Sequence, residues 1–351
     1  MEQQNNAKTP KKRLPVDLNG IRSDLLFDGN LVRLSIIMVV SFVLMAALKP
    51  ELYLTSKNFM SMAYQFPEIG LFSIAVMIAM LMGGINLSVL GIGNLSAIVS
   101  AYTMIALAPS MGNLGAIFVG IVVSLSVGLV CGALNGFLIA RVGIPAMLAT
   151  LGTMEMFSGI GIFLTDGSAV FGLPAGYEFI GAGTLIGIPL PTVIFIVVAG
   201  LCTVLLQKKK FGLEIYLLGT NEKAARFTGI QTKLDIIKAH MLGGLLSAIA
   251  GIIMSSRTIS AKADYGSSYT LQCILVAVLG GVNPSGGFGK VTGVIMAILT
   301  LQFLSSGFNF MRADSYFKTF IWGAVLIATL IINHYGNKSN ERKKKAAAAA
   351  K

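Results

Sequence analysis

Charged side chains are scarce in this sequence. They make up 12% of its 351 residues, against about one quarter in an ordinary soluble domain. Hydrophobic residues make up 55% and gather in long runs, and an uncharged run of about 18 residues is long enough to cross a bilayer. Such a chain has too little polar surface to cover itself in water. The scarcity of charge therefore excludes a soluble globular domain and predicts an all-α polytopic membrane protein.

Residues that bind metals or carry out catalysis are also few. The three cysteines, Cys131, Cys202 and Cys273, lie far apart in apolar runs, which predicts neither a disulfide framework nor a metal site. The two histidines, His240 and His334, have no ligand-like neighbours. A Gly-x-x-x-x-Gly-Lys-Ser/Thr phosphate loop is missing, so ATP hydrolysis would belong to another chain. We predict no catalytic residue, no metal and no cofactor in this chain.

Ten apolar runs predict ten membrane-spanning helices within a single transmembrane domain. The runs are 31–48, 68–83, 90–108, 115–140, 145–164, 191–206, 236–255, 269–281, 291–306 and 317–333. The second and eighth runs end in glycine pairs, which predicts broken or re-entrant helices there. The domain covers residues 31–333, and polar tails of residues 1–30 and 334–351 flank it.

The basic residues lie mostly between the apolar runs and give the chain a net charge of +12. If the N-terminus is cytoplasmic, the segments on the inner side hold 21 of the 27 Lys and Arg residues. This bias follows the positive-inside rule and explains the charge better than nucleic-acid binding does. It predicts that both tails and the polar interval 207–238 lie in the cytoplasm.

Small residues recur every four positions in the fourth and seventh runs, where they allow close approach of helices. A fixed packing seam and a helix that slides during transport would both need them, and the sequence leaves the two alternatives open. The residues are Gly128, Gly132, Gly136, Gly243, Ser247 and Gly251.

Polar residues inside the runs are costly in lipid, so they mark candidate positions of a solute path. Glu155 shares a helix stripe with Gly152 and Gly159, which predicts that its carboxylate faces the protein interior or a water-filled path. The ninth run also carries a polar face, which would bind either a polar solute or a neighbouring helix. That face consists of Gln302, Ser305, Ser306 and Asn309.

A short motif occurs twice: Gly83–Ser88 (GGINLS) recurs as Gly280–Ser285 (GGVNPS), each time after an uncharged run. Glycine pairs that end apolar runs predict interrupted helices, and transporters often place such breaks in corresponding positions of two halves. Chance and glycine bias are the alternative explanation of so short a match. Within the first copy, Asn86 and Ser88 are candidate residues of the path.

The cytoplasmic interval contains the stretch GTNEKAARFTGI, residues 219–230, which predicts a short capped helix. Asn221 is a good N-cap, Glu222 suits the positive first turn, and Gly229 suits the stop. About two turns of helix are too short to be stable alone in water, so this helix needs a surface to dock on. With Phe227 as an apolar anchor, it either lies on the membrane or inserts into a groove on a cytoplasmic partner.

Four stretches of the chain together resemble the permease subunits of the ribose-type, or simple-sugar, ABC importers. They are GGINLSVLGIGNLSA (83–97), NGFLIARVGIPAMLATLGTMEMFSGIG (135–161), GTNEKAARFTGI (219–230) and AVLGGVNPSGGFGKVTG (277–293). The resemblance implies a pore formed by two permeases, either a homodimer or this chain with a similar partner, in the inner membrane of a bacterium. It also implies two cytoplasmic ATP-binding subunits, which hold ATP and magnesium, and a periplasmic or lipid-anchored binding protein that delivers the sugar.

The resemblance also assigns a role to the short cytoplasmic helix. In the family, the matching stretch touches the ATP-binding subunit and transmits its closure to the pore. On this basis the coupling residues are Gly219, Asn221, Glu222, Ala224, Ala225, Arg226 and Gly229, with Phe227 added as the anchor. The chain departs from the family at Asn86, where Asp is common. Asn keeps the hydrogen-bonding capacity of that position and loses its charge.

Three other functions stay open from the sequence. An ABC permease for nucleosides or branched-chain amino acids is the nearest. A secondary transporter driven by an ion gradient would use Glu155 as its ion site. An intramembrane enzyme would need paired catalytic groups inside the runs, and none is visible. For the importer, the predicted path or gate residues are Asn86, Ser88, Glu155, Gln302 and Asn309.

Overall fold

The structure is a computed structural model that describes residues 29–314, 316–327 and 329–331, and most of them are helical. The helices are α1 (Gly29–Leu48), α2 (Pro50–Tyr53), α3 (Ser56–Leu81), α4 (Val89–Phe137), α5 (Ala146–Thr165), α6 (Glu178–Ala182), α7 (Leu190–Lys208), α8 (Lys210–Thr220), α9 (Glu222–Phe227), α10 (Thr232–Thr258), α11 (Tyr269–Leu279), α12 (Val291–Phe310) and α13 (Tyr316–Ile331). A π-helical turn, Leu138–Val142, extends α4. Two short strands, β1 (Thr184–Leu185) and β2 (Ile188–Pro189), pair antiparallel. Of the tails predicted at residues 1–30 and 334–351, residues 1–28 and 334–351 lie outside the described residues.

Seven of the described helices are long and apolar enough to cross a membrane: α1, α3, α4 with its π-helical turn, α5, α7, α10 and α12. The helices α11 and α13 are apolar but shorter. Each of the ten predicted runs overlaps helical residues, so the helical, multi-pass architecture is confirmed. The count of ten crossings and the cytoplasmic position of both ends stay predictions.

The third and fourth predicted spans lie in one helical run, which is broken at Gly112. This residue has φ 72° and ψ 167°, a backbone conformation that is essentially restricted to glycine. Pro109 lies just before it and removes a backbone donor from the last turn. Local sequence therefore ends one helix and begins the next without an intervening loop.

The second predicted span was wrong at its start, whereas its predicted break lies at the glycine pair, where the helix stops at Leu81 and α4 begins only at Val89. Helix α3 begins at Ser56, well before residue 68, because the Thr55 side chain caps it by accepting from the Asn58 amide at 3.3 Å. It then continues through Pro67 without interruption to Leu81. The polar residues at its beginning hide this part of the helix from a search for apolar runs.

The centre of the fold is formed by α3 and α10, the most buried of the long helices. Helix α4 lies along α10 and approaches it through its four-residue glycine repeat. A Cβ atom at Gly128 would lie 2.5 Å from the Gly244 carbonyl oxygen, and one at Gly136 would lie 2.5 Å from Ile237 Cα. At Gly132 a Cβ would overlap the His240 carbonyl oxygen. Any larger residue at these positions would push the two helices apart.

On α10, two of the three predicted small residues make close contacts with α4. A Cβ at Gly251 would overlap the Gly93 carbonyl oxygen, and one at Gly93 would lie 2.9 Å from the Ser247 carbonyl oxygen. The Ser247 hydroxyl is buried and donates to the Gly243 carbonyl at 2.9 Å. Gly243 itself makes only ordinary contacts, one of them toward the Asn86 side chain.

A buried ion pair joins the two central helices. The Glu68 carboxylate of α3 has no exposed surface, and Arg257 of α10 approaches it with Nε at 3.0 Å from Oε1 and Nη2 at 3.0 Å from Oε2. An unpaired carboxylate at this depth would be strongly unfavourable, so the guanidinium is what allows Glu68 to be buried. The pair went unnoticed in the sequence because its members are 189 positions apart.

The segment between α5 and α7 is anchored on the end of α10. The Tyr177 hydroxyl hydrogen-bonds Ser255 Oγ at 2.8 Å, and Ser256 Oγ donates to the Tyr177 carbonyl at 2.6 Å. Burial raises the pKa of the Tyr177 phenol to about 12. The segment is therefore a fixed cover over the end of α10.

Candidate functional site

The short helix predicted within residues 207–238 forms as its capping residues predict. Asn221 Oδ1 accepts a hydrogen bond from the Ala224 amide at 3.0 Å, and Gly229, at φ 84°, lies just beyond the C-terminus of α9. Ala225 is buried, while Arg226 and the other predicted coupling residues of α9 are exposed. Phe227 is 93% exposed. Helix α9 thus rests on its own chain through one alanine and presents an apolar ring beside charged residues.

Gly219 lies away from that exposed surface. A Cβ at this position would overlap the Leu81 carbonyl oxygen at the end of α3 and would lie 2.6 Å from the Gly287 amide nitrogen. The geometry gives Gly219 an internal packing position, which differs from the role that the resemblance assigns to it. We call the contact of Gly83, Gly219, Gly286 and Gly287 the glycine junction.

The glycine junction brings the two copies of the repeated motif together. A Cβ at Gly286, just after the second copy, would lie 2.5 Å from the Gly219 carbonyl oxygen and 2.9 Å from the Gly83 amide of the first copy. The Gly287 amide donates to the Leu81 carbonyl at 2.9 Å. Backbone therefore meets backbone where α3, the end of α8 and the loop after α11 converge.

A tyrosine of α8 also bonds to the loop that forms this junction. The hydroxyl of Tyr216, in α8, donates to the Gly289 carbonyl at 2.6 Å. Burial raises the pKa of this phenol above its ordinary value. Tyr216 and Gly219 thus fix the C-terminal half of α8, the helix that leads directly into α9.

The candidate path residues Asn86 and Ser88 lie in a buried hydrogen-bond chain. Ser88 Oγ donates to Asn86 Oδ1 at 2.7 Å, Asn135 Nδ2 donates to Ser88 Oγ at 2.7 Å, and Thr153 Oγ1 donates to Asn135 Oδ1 at 2.6 Å. All four side chains are buried. In this conformation the chain connects the helix break after α3 to α4 and α5, and it does not line an open path.

Glu155 is exposed on the outer face of α5 and does not face the interior of its own chain. The two glycines of its stripe are also uncovered, since a Cβ at Gly152 or Gly159 would meet no atom within 4 Å. Several large apolar side chains of α5 are exposed beside them, with Phe163 at 81%. The carboxylate therefore does not face the interior of its own chain, and the water-filled path stays a prediction.

Gln302 and Asn309 face a cavity of about 430 Å³ between α12 and the beginning of α3. Gln302 Nε2 lies 3.4 Å from Gln65 Oε1, and Asn309 Oδ1 accepts from the Lys318 ammonium group. The predicted path residues therefore form three separate groups, each with its own neighbours. Hydropathy marks each residue as unusual, but only the packing of the helices determines which face it occupies.

Long apolar helices, with glycine-paired helix ends packed against a short capped segment, define a multi-pass membrane protein of the kind that transporters use. Residues 58–330 match the family described as "Branched-chain amino acid transport system / permease component", so the chain belongs to this family of transport permeases. It is a multi-pass protein of the bacterial inner membrane. No solved structure matches the chain.

Individual relatives are importer permeases. The ribose import permease protein RbsC of Bacillus subtilis (strain 168) is 32% identical over 311 residues, which cover 88% of this chain and 94% of that protein. The D-allose transport system permease protein AlsC of Escherichia coli (strain K12) is 28% identical over 302 residues, 86% of this chain and 91% of that protein. The autoinducer 2 import system permease protein LsrD of Photorhabdus laumondii is 30% identical over 276 residues, or 75% and 79%. These similarities confirm the resemblance to simple-sugar ABC permeases.

Proposed function

We propose that the chain is the pore subunit of an ATP-driven importer for a simple sugar of the pentose or hexose class. It works as one of two permease chains, receives the sugar from an extracytoplasmic binding protein and is driven by a separate ATP-binding subunit through α9. The names of the ribose and allose permeases support the substrate class. The observation that carries the coupling role is the exposed, capped helix α9, whose supporting helix α8 ends in the glycine junction.

Helix α9 has the properties of a docking element. Its six residues are too few to be stable alone, and Ala225 is the one residue that it buries against its own chain. The exposed ring of Phe227 beside the Arg226 guanidinium suits a groove on a protein partner, because an anchor of this type gains most when it fills a pocket. A membrane surface would also accept the ring, and removal of the ring distinguishes these two occupants.

The α5 face supports a path between two permease chains. A carboxylate in a membrane-spanning helix is costly when it faces lipid, so Glu155 requires a polar or aqueous neighbour. The uncovered Gly152 and Gly159 allow a second helix to approach this face closely. We infer that α5 faces the second permease chain across a water-filled path, and that Glu155 lines it.

The test is co-purification and uptake with a pair of matched variants. Phe227→Ser removes the exposed ring without touching the cap, and Leu213→Ser removes a 60% exposed apolar side chain from the neighbouring helix α8. We expect native protein and Leu213→Ser to co-purify with an ATP-binding subunit, identified by mass spectrometry, and to take up ribose or allose in vesicles that contain ATP. We expect Phe227→Ser to lose both properties while remaining correctly inserted.

Other outcomes separate the alternatives. Retention of the ATP-binding subunit by Phe227→Ser, together with loss of membrane contact, would assign α9 to the membrane surface. Uptake that follows an ion gradient without ATP and is abolished by Glu155→Gln would assign the chain to secondary transport. Uptake of leucine or a nucleoside, with no uptake of either sugar, would contradict the proposed sugar class. The proposed coupling to ATP would be unaffected by that result.

A further inference from the structure

The cavity between α3 and α12 has the composition of a ligand site, and the proposed importer function gives it no specific role. Its volume of about 430 Å³ lies within the range of known small-molecule pockets. It is enclosed by the beginning of α3, the end of α12 and the α2 segment, and neither the α5 face nor the glycine junction contributes to it. The predicted topology places it on the outer side of the membrane. Its polar lining consists of Thr55, Lys57, Asn58, Ser61, Gln65, Gln302, Ser306 and Asn309.

One part of this lining is fully engaged within the protein. Asn58 donates from Nδ2 to the Tyr53 carbonyl at 2.8 Å and accepts at Oδ1 from Ser306 Oγ at 2.6 Å. The same tyrosine ring lies edge-on to Phe310, with 6.5 Å between ring centroids. These contacts hold α2, α3 and α12 in fixed positions, so the walls of the cavity are formed before any ligand arrives.

Gln302 retains unused hydrogen-bonding capacity. The residue is 94% buried, since its exposed fraction is 6%. Its amide nitrogen makes a long contact of 3.4 Å to Gln65 Oε1, and among the described residues its amide oxygen accepts no hydrogen bond. A buried amide in an apolar membrane protein is unfavourable unless it finds partners. A bound polar molecule would supply the missing donor.

The chemistry of the lining suits hydroxyl groups. A sugar hydroxyl both donates and accepts a hydrogen bond, and amide and hydroxyl side chains offer the same pair of functions. Leu52, Met62 and Phe310 provide apolar surface, which suits the carbon-bound face of a sugar ring. Among the described lining residues Lys57 alone is charged, so a strongly ionic ligand finds no matched set of charges.

We propose that this cavity is a sugar subsite in each copy of the chain, separate from the path between the copies. The assignment rests on the proposed function for its substrate class. Gln302 is the central ligand-binding residue, and Gln65 extends the polar wall beside it. The subsite holds the same pentose or hexose that the importer carries.

Thiol protection provides the test. The native cysteines are all buried, so Ser61→Cys introduces an accessible thiol at the cavity and Ser110→Cys introduces one at an exposed position of α4. The purified full-length chain, without binding protein or ATP-binding subunit, is alkylated with and without ribose or allose. At a sugar concentration of about ten times Kd, we expect alkylation at position 61 to slow by about tenfold, because only about a tenth of the sites are then empty.

The controls make each outcome decisive. We expect position 110 to be alkylated at an unchanged rate, Gln302→Leu to remove the protection at position 61, and Glu155→Gln to leave that protection unchanged. The proposal is overturned by equal protection at both positions, by protection that survives Gln302→Leu, or by protection with leucine and not with sugar. It is also overturned if no protection occurs. ATP-driven uptake by the native chain then shows separately whether the proposed function stands.

Discussion

The two copies of the repeated motif have the same local turn in different surroundings. Asn86 Oδ1 accepts from the Ser88 amide at 3.0 Å in the first copy, and Asn283 Oδ1 accepts from the Ser285 amide at 3.1 Å in the second. In the first copy the serine is buried and its hydroxyl joins a hydrogen-bond chain to α4 and α5. In the second copy Ser285 is exposed.

The residues after each motif explain the difference. The first copy leads directly into the apolar helix α4, so its polar side chains are buried and must bond to one another. The second continues through Pro284 into Gly286 and Gly287, whose backbone lies against Gly219 at the end of α8. The same asparagine–serine bond thus lies between membrane helices in one place and beside the end of α8 in the other. The short motif determines the turn, and its neighbours determine the function.

The largest effect is expected from a methyl group in the glycine junction. Gly219→Ala would place a Cβ in overlap with the Leu81 carbonyl oxygen, and overpacking of this kind costs about 1–3 kcal/mol. We expect ATP-driven uptake to be lost while the ATP-binding subunit still co-purifies, since the surface of α9 is unchanged. Uptake and ATP hydrolysis are measured on the same reconstituted complex.

Gly200→Ala is the matched control for that experiment. It adds the same methyl group to α7, where no atom lies within 4 Å, and we expect native uptake. Native uptake by Gly219→Ala as well would show that the close approach at the glycine junction is not needed for coupling.

The second largest effect is expected on stability, in the hydrogen-bond chain that includes the first copy of the motif. Asn135→Leu removes the link between Ser88 and Thr153, so Ser88 Oγ loses its donor and keeps its bond to Asn86, while Thr153 Oγ1 keeps only a 3.3 Å bond to the Thr150 carbonyl. Each of the two lost hydrogen bonds contributes about 0.5–1.5 kcal/mol, so we expect a clear fall in the thermal unfolding midpoint of the purified chain. Asn113→Leu changes an exposed asparagine and should leave the midpoint unchanged. Equal midpoints for the two variants would contradict the role of the hydrogen-bond chain.

The corresponding change in the second copy should affect coupling more than stability. Asn283→Leu removes the bond from the Ser285 amide and the longer 3.3 Å bond that Asn283 Nδ2 donates to the Gly286 carbonyl, and solvent can replace the first because Ser285 is exposed. We expect a loss of about 1 kcal/mol of unfolding free energy. We also expect a reduced yield of sugar transported per ATP hydrolysed. A stability loss as large as that of Asn135→Leu, with normal coupling, would remove the distinction between the two copies.

The parts of this site that sequence reasoning identified depend on local geometry. An N-cap such as Asn221 and a stop such as Gly229 act within a few residues, so spacing alone is sufficient to find them. The repeat at Gly128, Gly132 and Gly136 was also recognisable, because a four-residue period places small residues on one helix face. Hydropathy likewise located the apolar runs.

The features that escaped prediction depend on distant partners. Glu68 interrupts the apolar pattern of α3, and only its pairing with Arg257 explains how this charged residue can be buried there. Gly219 looked like part of an exposed loop, and its contact with Leu81 exists only in the folded chain. Glu155 and Gln302 were both recognised as unusual polar residues in apolar runs. Their environments differ, since Glu155 is exposed and Gln302 is buried, and this difference arises from the packing of whole helices.

The smallest effect is expected where the chain departs from its family. Asn86→Asp introduces the residue that the resemblance leads us to expect at this position, and the bonded atom, Oδ1, is an acceptor in both side chains. We expect the turn, the unfolding midpoint and ATP-driven uptake to remain close to native, because the two Ser88 donors and the positive N-terminal end of α4 favour the buried carboxylate. Asn86→Leu, in contrast, should lose both bonds and be destabilised as strongly as Asn135→Leu. If Asn86→Asp abolishes uptake without unfolding the protein, the amide nitrogen, which points toward Gly243, has a role in transport that a carboxylate cannot supply. The first copy would then contribute a specific polar contact during the transport cycle as well as an anchor for α4 and α5.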